Sequence, residues 1–135
     1  MSDVDQKSKT PAIVHWIAVG MLFLMVAQPT VDNVRALTTG AFVMGEMSVD
    51  VTFTNVIFHI IGTIMGWVGF VWFYKRQKRG TYLTIAAHLV GLGAALIQLS
   101  EMLFSVMPPV AIAIFFAVLA IVALGPIFAF KEEHA

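Results

Sequence analysis

A few polar side chains interrupt the long apolar stretches of this sequence, and any chemistry within those stretches depends on them. Five of them are predicted to lie at similar depth near one end of the stretches: Gln28, Asn55, His59, Gln98 and Glu101. An ionisable residue inside a membrane span is a candidate for binding a ligand, an ion or a proton. Alternatively, the five side chains satisfy one another and hold helices together, at about 0.6 kcal/mol per hydrogen bond. The sequence leaves both interpretations open.

Two further histidines, His15 and His88, are predicted nearer the opposite end. His59 and His88 are each followed by a glycine three residues later, in HIIG and HLVG. Paired histidines in membrane helices can ligate haem b, for which small residues leave room. One haem needs both ligands at nearly the same depth, yet His59 and His88 would differ by about 12–15 Å along straight helices. His88 with His15 is therefore the better pair for a haem alternative.

Methionines offer a second cofactor alternative, copper, because thioethers favour Cu(I). Four of them are expected near the same end as the five polar residues: Met44, Met47, Met102 and Met107. Methionine also fills gaps in apolar contacts, which is the commoner role. The chain has no cysteine, which excludes thiolate metal sites and thiol nucleophiles. It also has no P-loop, HExxH, GxSxG or CxxC pattern, so the sequence assigns no catalytic residue and no metal site.

The elements that must position these residues are apolar segments of membrane-spanning length. The clearest is 51–74, which is free of charge and is followed at once by KRQKR. Its 24 residues would cover roughly 36 Å, against about 30 Å for a hydrocarbon core. Similar spans are predicted at about 11–31, 81–104 and 110–130, and Pro29 should kink or end the first of them. The remaining segment, 32–50, is an outer loop that could form a short interfacial helix or a partly re-entrant loop.

Composition and charge agree with a membrane protein. Only 12% of the residues are charged and 59% are hydrophobic, whereas a soluble domain has about a quarter charged. The net charge of zero gives no footprint for nucleic acid. Four crossings would place seven of the eight basic residues on one side, with Arg35 alone on the other: Lys7, Lys9, Lys75, Arg76, Lys78, Arg79 and Lys131. The positive-inside rule then puts both termini and the KRQKR turn in the cytoplasm.

Small residues form two stripes that should face each other. Gly62, Gly66 and Gly69 follow His59 at offsets of 3, 4 and 3, and they include a GxxxG pattern that allows close helix approach. Gly91 and Ala95 continue a similar stripe from His88 in the next span. The predicted fold is an all-α integral membrane protein, an up-down bundle of four transmembrane helices in one domain over 1–135.

The function we expect from these features is that of a small non-catalytic membrane subunit. It would be an accessory or scaffolding component of a larger membrane complex, such as a respiratory or other redox complex, or a homo-oligomer. The alternative is a small transporter or a haem b redox protein that uses the polar cluster around His59. The expected partners are the lipid bilayer and other membrane subunits or a second copy of the chain. The expected location is the cytoplasmic membrane if the source is prokaryotic.

Overall fold

The computed structural model describes residues 12–129, which form mainly helices. In chain order the helices are α1 (Ala12–Thr39), α2 (Phe53–Tyr74), α3 (Lys78–Gln98), α4 (Ser100–Val106) and α5 (Pro109–Ala129). Two short strands, β1 (Ala41–Met44) and β2 (Met47–Asp50), lie between α1 and α2. The basic residues predicted at the chain ends, Lys7, Lys9 and Lys131, lie outside the described residues.

Three helices are long and apolar enough to cross a membrane: α1, α2 and α3. The fourth apolar helix is shorter over the residues assessed, Pro109–Gly125. Each of the four exposes large aliphatic side chains, as at Ile17, Ile64, Ile97 and Ile121, which are 57–84% exposed. Exposed aliphatic surface on every long helix suits a lipid environment.

Helix α1 does not end near Pro29, as predicted, but continues for ten further residues to Thr39. A proline inside a helix removes one N–H and leaves the carbonyl four residues earlier, here Met25, without its donor. His88 of helix α3 can supply the missing donor, because its Nε2 lies 3.0 Å from the Met25 carbonyl oxygen. The helix is therefore continued by a contact with another helix, which the local sequence does not reveal.

The segment 41–50 forms a β-hairpin, which corrects the predicted interfacial helix or re-entrant loop and adds two short strands to a mainly helical fold. Gly40 ends α1 in the left-handed region with φ 81°, and its N–H donates to the Ala36 carbonyl oxygen. The strands pair antiparallel from Ala41 opposite Asp50 to Met44 opposite Met47. Gly45, with φ 60°, occupies the first position of the two-residue turn, where a type II′ turn requires glycine-like geometry.

Helix α2 begins two residues later than the predicted span because Thr52 and Asn55 form a capping box. The Asn55 N–H donates to Thr52 Oγ1, and Asn55 Oδ1 accepts from the Thr52 N–H. The other end of α2 is a Schellman motif, in which the Arg76 N–H donates to Phe73 O and the Gln77 N–H donates to Trp72 O. Both ends of the helix are thus fixed by local hydrogen bonds.

The predicted span 81–104 is interrupted. Helix α3 begins three residues earlier, at Lys78, and ends at Gln98; α4 follows after a break at Leu99, whose ψ of 23° departs from helical values. The residues beyond 98 therefore do not continue the single straight helix that the predicted span assumed. The fourth predicted span, 110–130, corresponds to α5.

The four long helices contact one another in a ring. α2 packs along α3, α1 packs on α2 and on α5, and α3 packs on α5. A core at the end that carries the KRQKR turn, called the turn-end core, contains Leu22, Phe73 and Leu119. A second core beside the β-hairpin, called the hairpin-end core, contains Ala36, Phe42, Leu99 and Met102.

Candidate ligand-binding cavity

A cavity of about 470 Å³ opens among the helices, with walls from α1, α2, α3 and α5. Its volume falls within the range of about 300–1,000 Å³ that is typical of small-molecule sites. Most of its wall is aliphatic or aromatic, including Leu92, Ile112, Phe115 and Phe116. Both His59 and His88 contribute to this wall. The structure therefore brings the two histidines to one cavity.

His88 joins α3 to α1 beside the cavity. Its Nδ1 lies 2.8 Å from the Thr84 carbonyl oxygen of its own helix, and its Nε2 lies 3.0 Å from the Met25 carbonyl oxygen. A neutral imidazole carries a single N–H, so it can donate to only one of these oxygens. The Met25 carbonyl has lost its donor to Pro29, whereas the Thr84 carbonyl keeps its helical donor. We therefore assign the proton of a neutral His88 to Nε2.

His59 differs from His88, because neither of its ring nitrogens has a hydrogen-bond partner among residues 12–129. Its Nε2 is fully buried. Its ring lies 4.9 Å, between centroids, from that of Phe42 in the hairpin-end core, tilted by 45°. A buried nitrogen without a partner is costly in an apolar environment. Among the polar side chains of the cavity wall, His59 is the one whose two ring nitrogens both lack a hydrogen-bond partner within the described residues.

Two further side-chain links hold α1 against α2. Asn33 Nδ2 donates to Thr63 Oγ1 at 2.7 Å and approaches the His59 carbonyl oxygen at 3.4 Å. Trp67 Nε1 donates to Thr30 Oγ1 at 2.9 Å. Together with the His88 contact, these bonds attach α1 to the α2–α3 pair, and Asn33 and Thr63 also line the cavity. They set the distance of α1 without filling the space between the helices.

One carboxylate lies at the cavity wall. Gln28 and Asp32 are one turn apart on α1, and Gln28 Nε2 lies 3.4 Å from both carboxylate oxygens of Asp32. Arg35, one turn further, lines a second cavity of about 260 Å³ that Asp32 also touches. No lysine or arginine contributes to the wall of the larger cavity. The only formal charge on that wall, with neutral histidines, is therefore negative.

Glycines bring α2 and α3 into backbone contact below the cavity. A Cβ atom at Gly69 would lie 2.6 Å from Thr84 Oγ1, and one at Gly80 would overlap the backbone of Trp72 and Phe73. Nearer the cavity the contacts are looser: a Cβ at Gly66 would meet Val26 at 3.4 Å, and one at Gly91 would meet nothing within 4 Å. Gly62, Gly66, Gly91 and Ala95 all line the cavity. The predicted small-residue stripes thus form both the helix contact and a cavity wall.

Three of the five predicted cluster residues lie away from the cavity. Asn55 is occupied in the capping box and also donates from Nδ2 to the Asp50 carbonyl oxygen at 2.8 Å. Gln98 Nε2 donates to the Thr54 carbonyl oxygen at 2.8 Å, five residues before His59. Glu101 is exposed in the first turn of α4. Only Gln28 and His59 of the predicted cluster line the cavity.

The residues of the cofactor alternatives are not arranged as the sequence suggests. His15 lies at the turn-end core with its ring stacked on Phe73, 6.1 Å between centroids, and does not line the cavity with His88. Both nitrogens of His88 face carbonyl oxygens, which are not the surroundings of a haem ligand. Met102 is buried among apolar side chains, with Met47 packed against them. Within the described chain, no three side chains of the histidine or carboxylate type come together as a metal site.

Sequence reasoning missed Asn33, Thr63 and the position of Asp32. Residues 32 and 33 were expected in a loop, whereas α1 carries them past Pro29 onto the cavity wall. Thr63 lies one helical turn after His59, and its hydroxyl donates to the His59 carbonyl oxygen at 2.8 Å. The spacing of Gln28 and Asp32, four residues apart across a proline, was the available signal for a continuous helix face.

Comparison with known proteins gives no relationship from which a role could be inferred: no family model matches the chain, and no curated protein or solved structure is significantly similar to it.

Proposed function

We propose that this chain is a non-catalytic integral membrane protein that holds a small, largely apolar molecule between α1, α2, α3 and α5. The observation that carries the proposal is the cavity of about 470 Å³. A concave and largely apolar wall of that size can bury most of a small apolar molecule. Polar side chains at the wall, among them the exposed residues Gln28 and Asp32, offer such an occupant a polar contact.

The surrounding helices support a lasting cavity. The α2–α3 pair is fixed by backbone contact at Gly69 and Gly80. Helix α1 is attached to this pair through the side chains of His88, Asn33 and Trp67 rather than through backbone contact. Closing the space would require these polar links to break inside an apolar environment, where their groups would find no other partner.

Two glycine substitutions on α3 test the proposal. Gly91→Leu adds a side chain at the cavity wall, whereas the control Gly93→Leu adds the same side chain away from it; an added Cβ meets nothing within 4 Å at either site. Native mass spectrometry of protein purified from its source membrane should detect a small-molecule mass on the wild type and on Gly93→Leu. The same mass should be absent from Gly91→Leu. No bound mass on the wild type, or equal masses on both variants, contradicts the proposal.

We further propose four crossings in an up-down arrangement, with both termini and the KRQKR turn in the cytoplasm. The seven-to-one division of basic residues supports this orientation. The contacts of α5 with α1 and α3 support a fourth crossing beside the three long helices. Cysteine labelling of a single introduced cysteine tests it: a membrane-impermeant maleimide should reach Glu46→Cys from outside and Gln77→Cys only after lysis. The reverse pattern rejects the orientation.

A second candidate function is that of an accessory subunit of a larger membrane complex or a homo-oligomer. The observation that favours it is Gly20, which is exposed on α1 with nothing within 4 Å of an added Cβ. Bare backbone on an outward helix face lets another helix approach closely. Gently solubilised wild-type protein should then migrate as a larger species, and Gly20→Leu should release the chain. Migration of the wild type as a monomer contradicts this candidate.

A further inference from the structure

We propose that the cavity selects a primary ammonium group attached to an apolar body, an inference that rests on the proposed ligand-holding function. It starts from the hydrogen-bond donors and acceptors of the polar end of the cavity. That end is formed by Gln28, Asp32, Asn33, His59 and Thr63.

The donors at this end are already engaged. Gln28 Nε2 is directed to the Asp32 carboxylate, and Asn33 Nδ2 donates to Thr63 Oγ1. Thr63 Oγ1 in turn donates to the His59 carbonyl oxygen. The His59 ring has no hydrogen-bond partner within the described residues, but its Nε2 is fully buried, so only Nδ1 is left to interact with an occupant.

Acceptors are left over. Within the described residues, no hydrogen bond engages Oε1 of Gln28 or Oδ1 of Asn33. The Asp32 carboxylate receives only the long 3.4 Å contacts from Gln28, and a carboxylate can accept about four hydrogen bonds. Nε2 of His59 also has no partner, but it is fully buried and is not accessible to an occupant. An occupant that donates several hydrogen bonds fits this wall, and one that only accepts does not.

Charge points the same way. Asp32 gives the wall its only formal charge, and no lysine or arginine lines the cavity. Phe42 adds an aromatic ring at the same end, where a cation gains from the ring quadrupole. A carboxylate or phosphate head without an ammonium of its own would meet the Asp32 charge, because Arg35, one turn from Asp32, lines only the second cavity. A primary ammonium supplies both the positive charge and three N–H donors.

The rest of the cavity sets the body of the ligand. Beyond the polar end the wall includes Leu92, Leu103, Ile112, Phe115 and Phe116. Its polar side chain there, His88, already has both ring nitrogens at carbonyl oxygens. Such a wall accommodates an alkyl or aromatic body without polar groups. The chemistry is that of an amphiphilic amine, and its source could be a free alkylamine or the headgroup of an aminophospholipid.

The test uses four probes with one decyl body: decylamine, decyltrimethylammonium, decanol and decanoate. Binding of radiolabelled decylamine to the detergent-solubilised full chain is measured by equilibrium dialysis, and specific binding is the part lost in Gly91→Leu but retained in Gly93→Leu. Unlabelled decylamine should compete at least about tenfold better than decanol or decanoate, since it alone forms charge-assisted hydrogen bonds. Decyltrimethylammonium, a cation without N–H, should rank below decylamine.

Asp32→Asn should weaken decylamine binding by at least about tenfold. Glu46→Gln removes a carboxylate from the nearby hairpin turn, away from the cavity, and should change binding less than about twofold. Equal competition by decanol or decanoate, or equal effects of the two variants, overturns the ammonium assignment. Should Asp32→Asn fail to fold by circular dichroism, the ranking of probes on the wild type still decides.

Failure of the assignment can be told apart from failure of the proposed function. If decanol binds specifically and as well as decylamine, the cavity holds ligands and only the ammonium preference is wrong. If the wild type and Gly91→Leu bind every probe equally, both are wrong. Adding phosphatidylethanolamine or phosphatidylcholine to the dialysis separates the sources: displacement by the former alone assigns the ammonium to a lipid headgroup, and displacement by neither assigns it to a free amine.

Discussion

The α2–α3 contact and the attachment of α1 to that pair use opposite means. Between α2 and α3, glycines remove side chains until the backbones touch, as at Gly69 and Gly80. Between α1 and the pair, polar side chains reach across: His88 to Met25, Asn33 to Thr63, and Trp67 to Thr30. The first interface leaves no space, and the second runs beside a cavity of about 470 Å³.

The difference shows how one short chain can combine a tightly packed helix pair with a cavity beside a third helix. A backbone contact cannot accept an added atom, because a whole helix must move to make room. A polar link can be lost singly, since the other links remain, and its length sets a gap between helices. The two interfaces should therefore respond differently to substitution, in the order of the following predictions.

The largest loss is expected where an atom is added to the glycine interface. Gly80→Ala would place a Cβ inside the backbone of Trp72 and Phe73, so the free energy of unfolding should fall by about 3 kcal/mol. Gly93→Ala, where an added Cβ meets nothing within 4 Å, is the control and should be neutral or slightly stabilising. Unfolding in mixed micelles, followed by circular dichroism, measures both. Equal stabilities would mean that α2 and α3 are not in backbone contact.

The His88 link should be coupled to Pro29. His88→Leu leaves the Met25 carbonyl without a donor and should cost about 1–2 kcal/mol of unfolding free energy. In a Pro29→Ala background the restored N–H at residue 29 can reach that carbonyl, so His88→Leu should cost less than half as much. A double-mutant cycle on unfolding free energies measures the coupling. Additive costs would show that His88 does not serve the carbonyl freed by the proline.

A smaller loss is expected at Asn33. Asn33→Leu removes the donor to Thr63 and should lower the unfolding free energy by about 0.6 kcal/mol, the average for hydrogen bonds between membrane helices. Thr38→Ala is the control, because the Thr38 hydroxyl bonds only carbonyls of its own helix. The same unfolding assay compares them. A loss at Asn33 as large as that at Gly80 would remove the contrast between the two interfaces.

The smallest effect is expected at Gln98. Gln98→Met removes the bond to the Thr54 carbonyl but also removes Oε1, which is buried without a partner. These changes oppose each other, and the net change should stay within about 0.5 kcal/mol. Decylamine binding should also be unchanged, since Gln98 does not line the cavity. A clear loss of binding would instead support the cluster of His59 and Gln98 expected from the sequence.

The sequence predicts well what depends on apolar length, and poorly what depends on partners from distant helices. The segment 51–74 is charge-free, and its helix begins only two residues later, at a capping box. The continuation of α1 past Pro29 could not be predicted, because its donor comes from His88, far along the chain. The depth match of His59 with Gln98 failed because the third span was taken as straight to Phe104, whereas α3 ends at Gln98.

For the cavity, the two histidines and the glycine stripes were visible in the sequence, and their common location was not. The haem argument separated His59 from His88 by depth, yet both line one cavity, since it extends along the helices rather than across them. Asp32 and Asn33 were placed in the loop 32–50 because the first span was expected to end near Pro29, whereas α1 continues to Thr39. A site formed between four helices depends on their relative rotation, which apolar periodicity constrains weakly.

The Schellman motif at the end of α2 has a consequence for how the chain enters a membrane. Its left-handed position, usually glycine, is held by Arg76 with φ 60°, a conformation that costs a residue with a side chain about 1 kcal/mol. Arg76→Gly would relax the backbone but would delete one of the four cations in the turn. In the orientation proposed above, Arg76 keeps a strained backbone conformation at this turn. In return the turn retains a positive charge that favours its cytoplasmic placement.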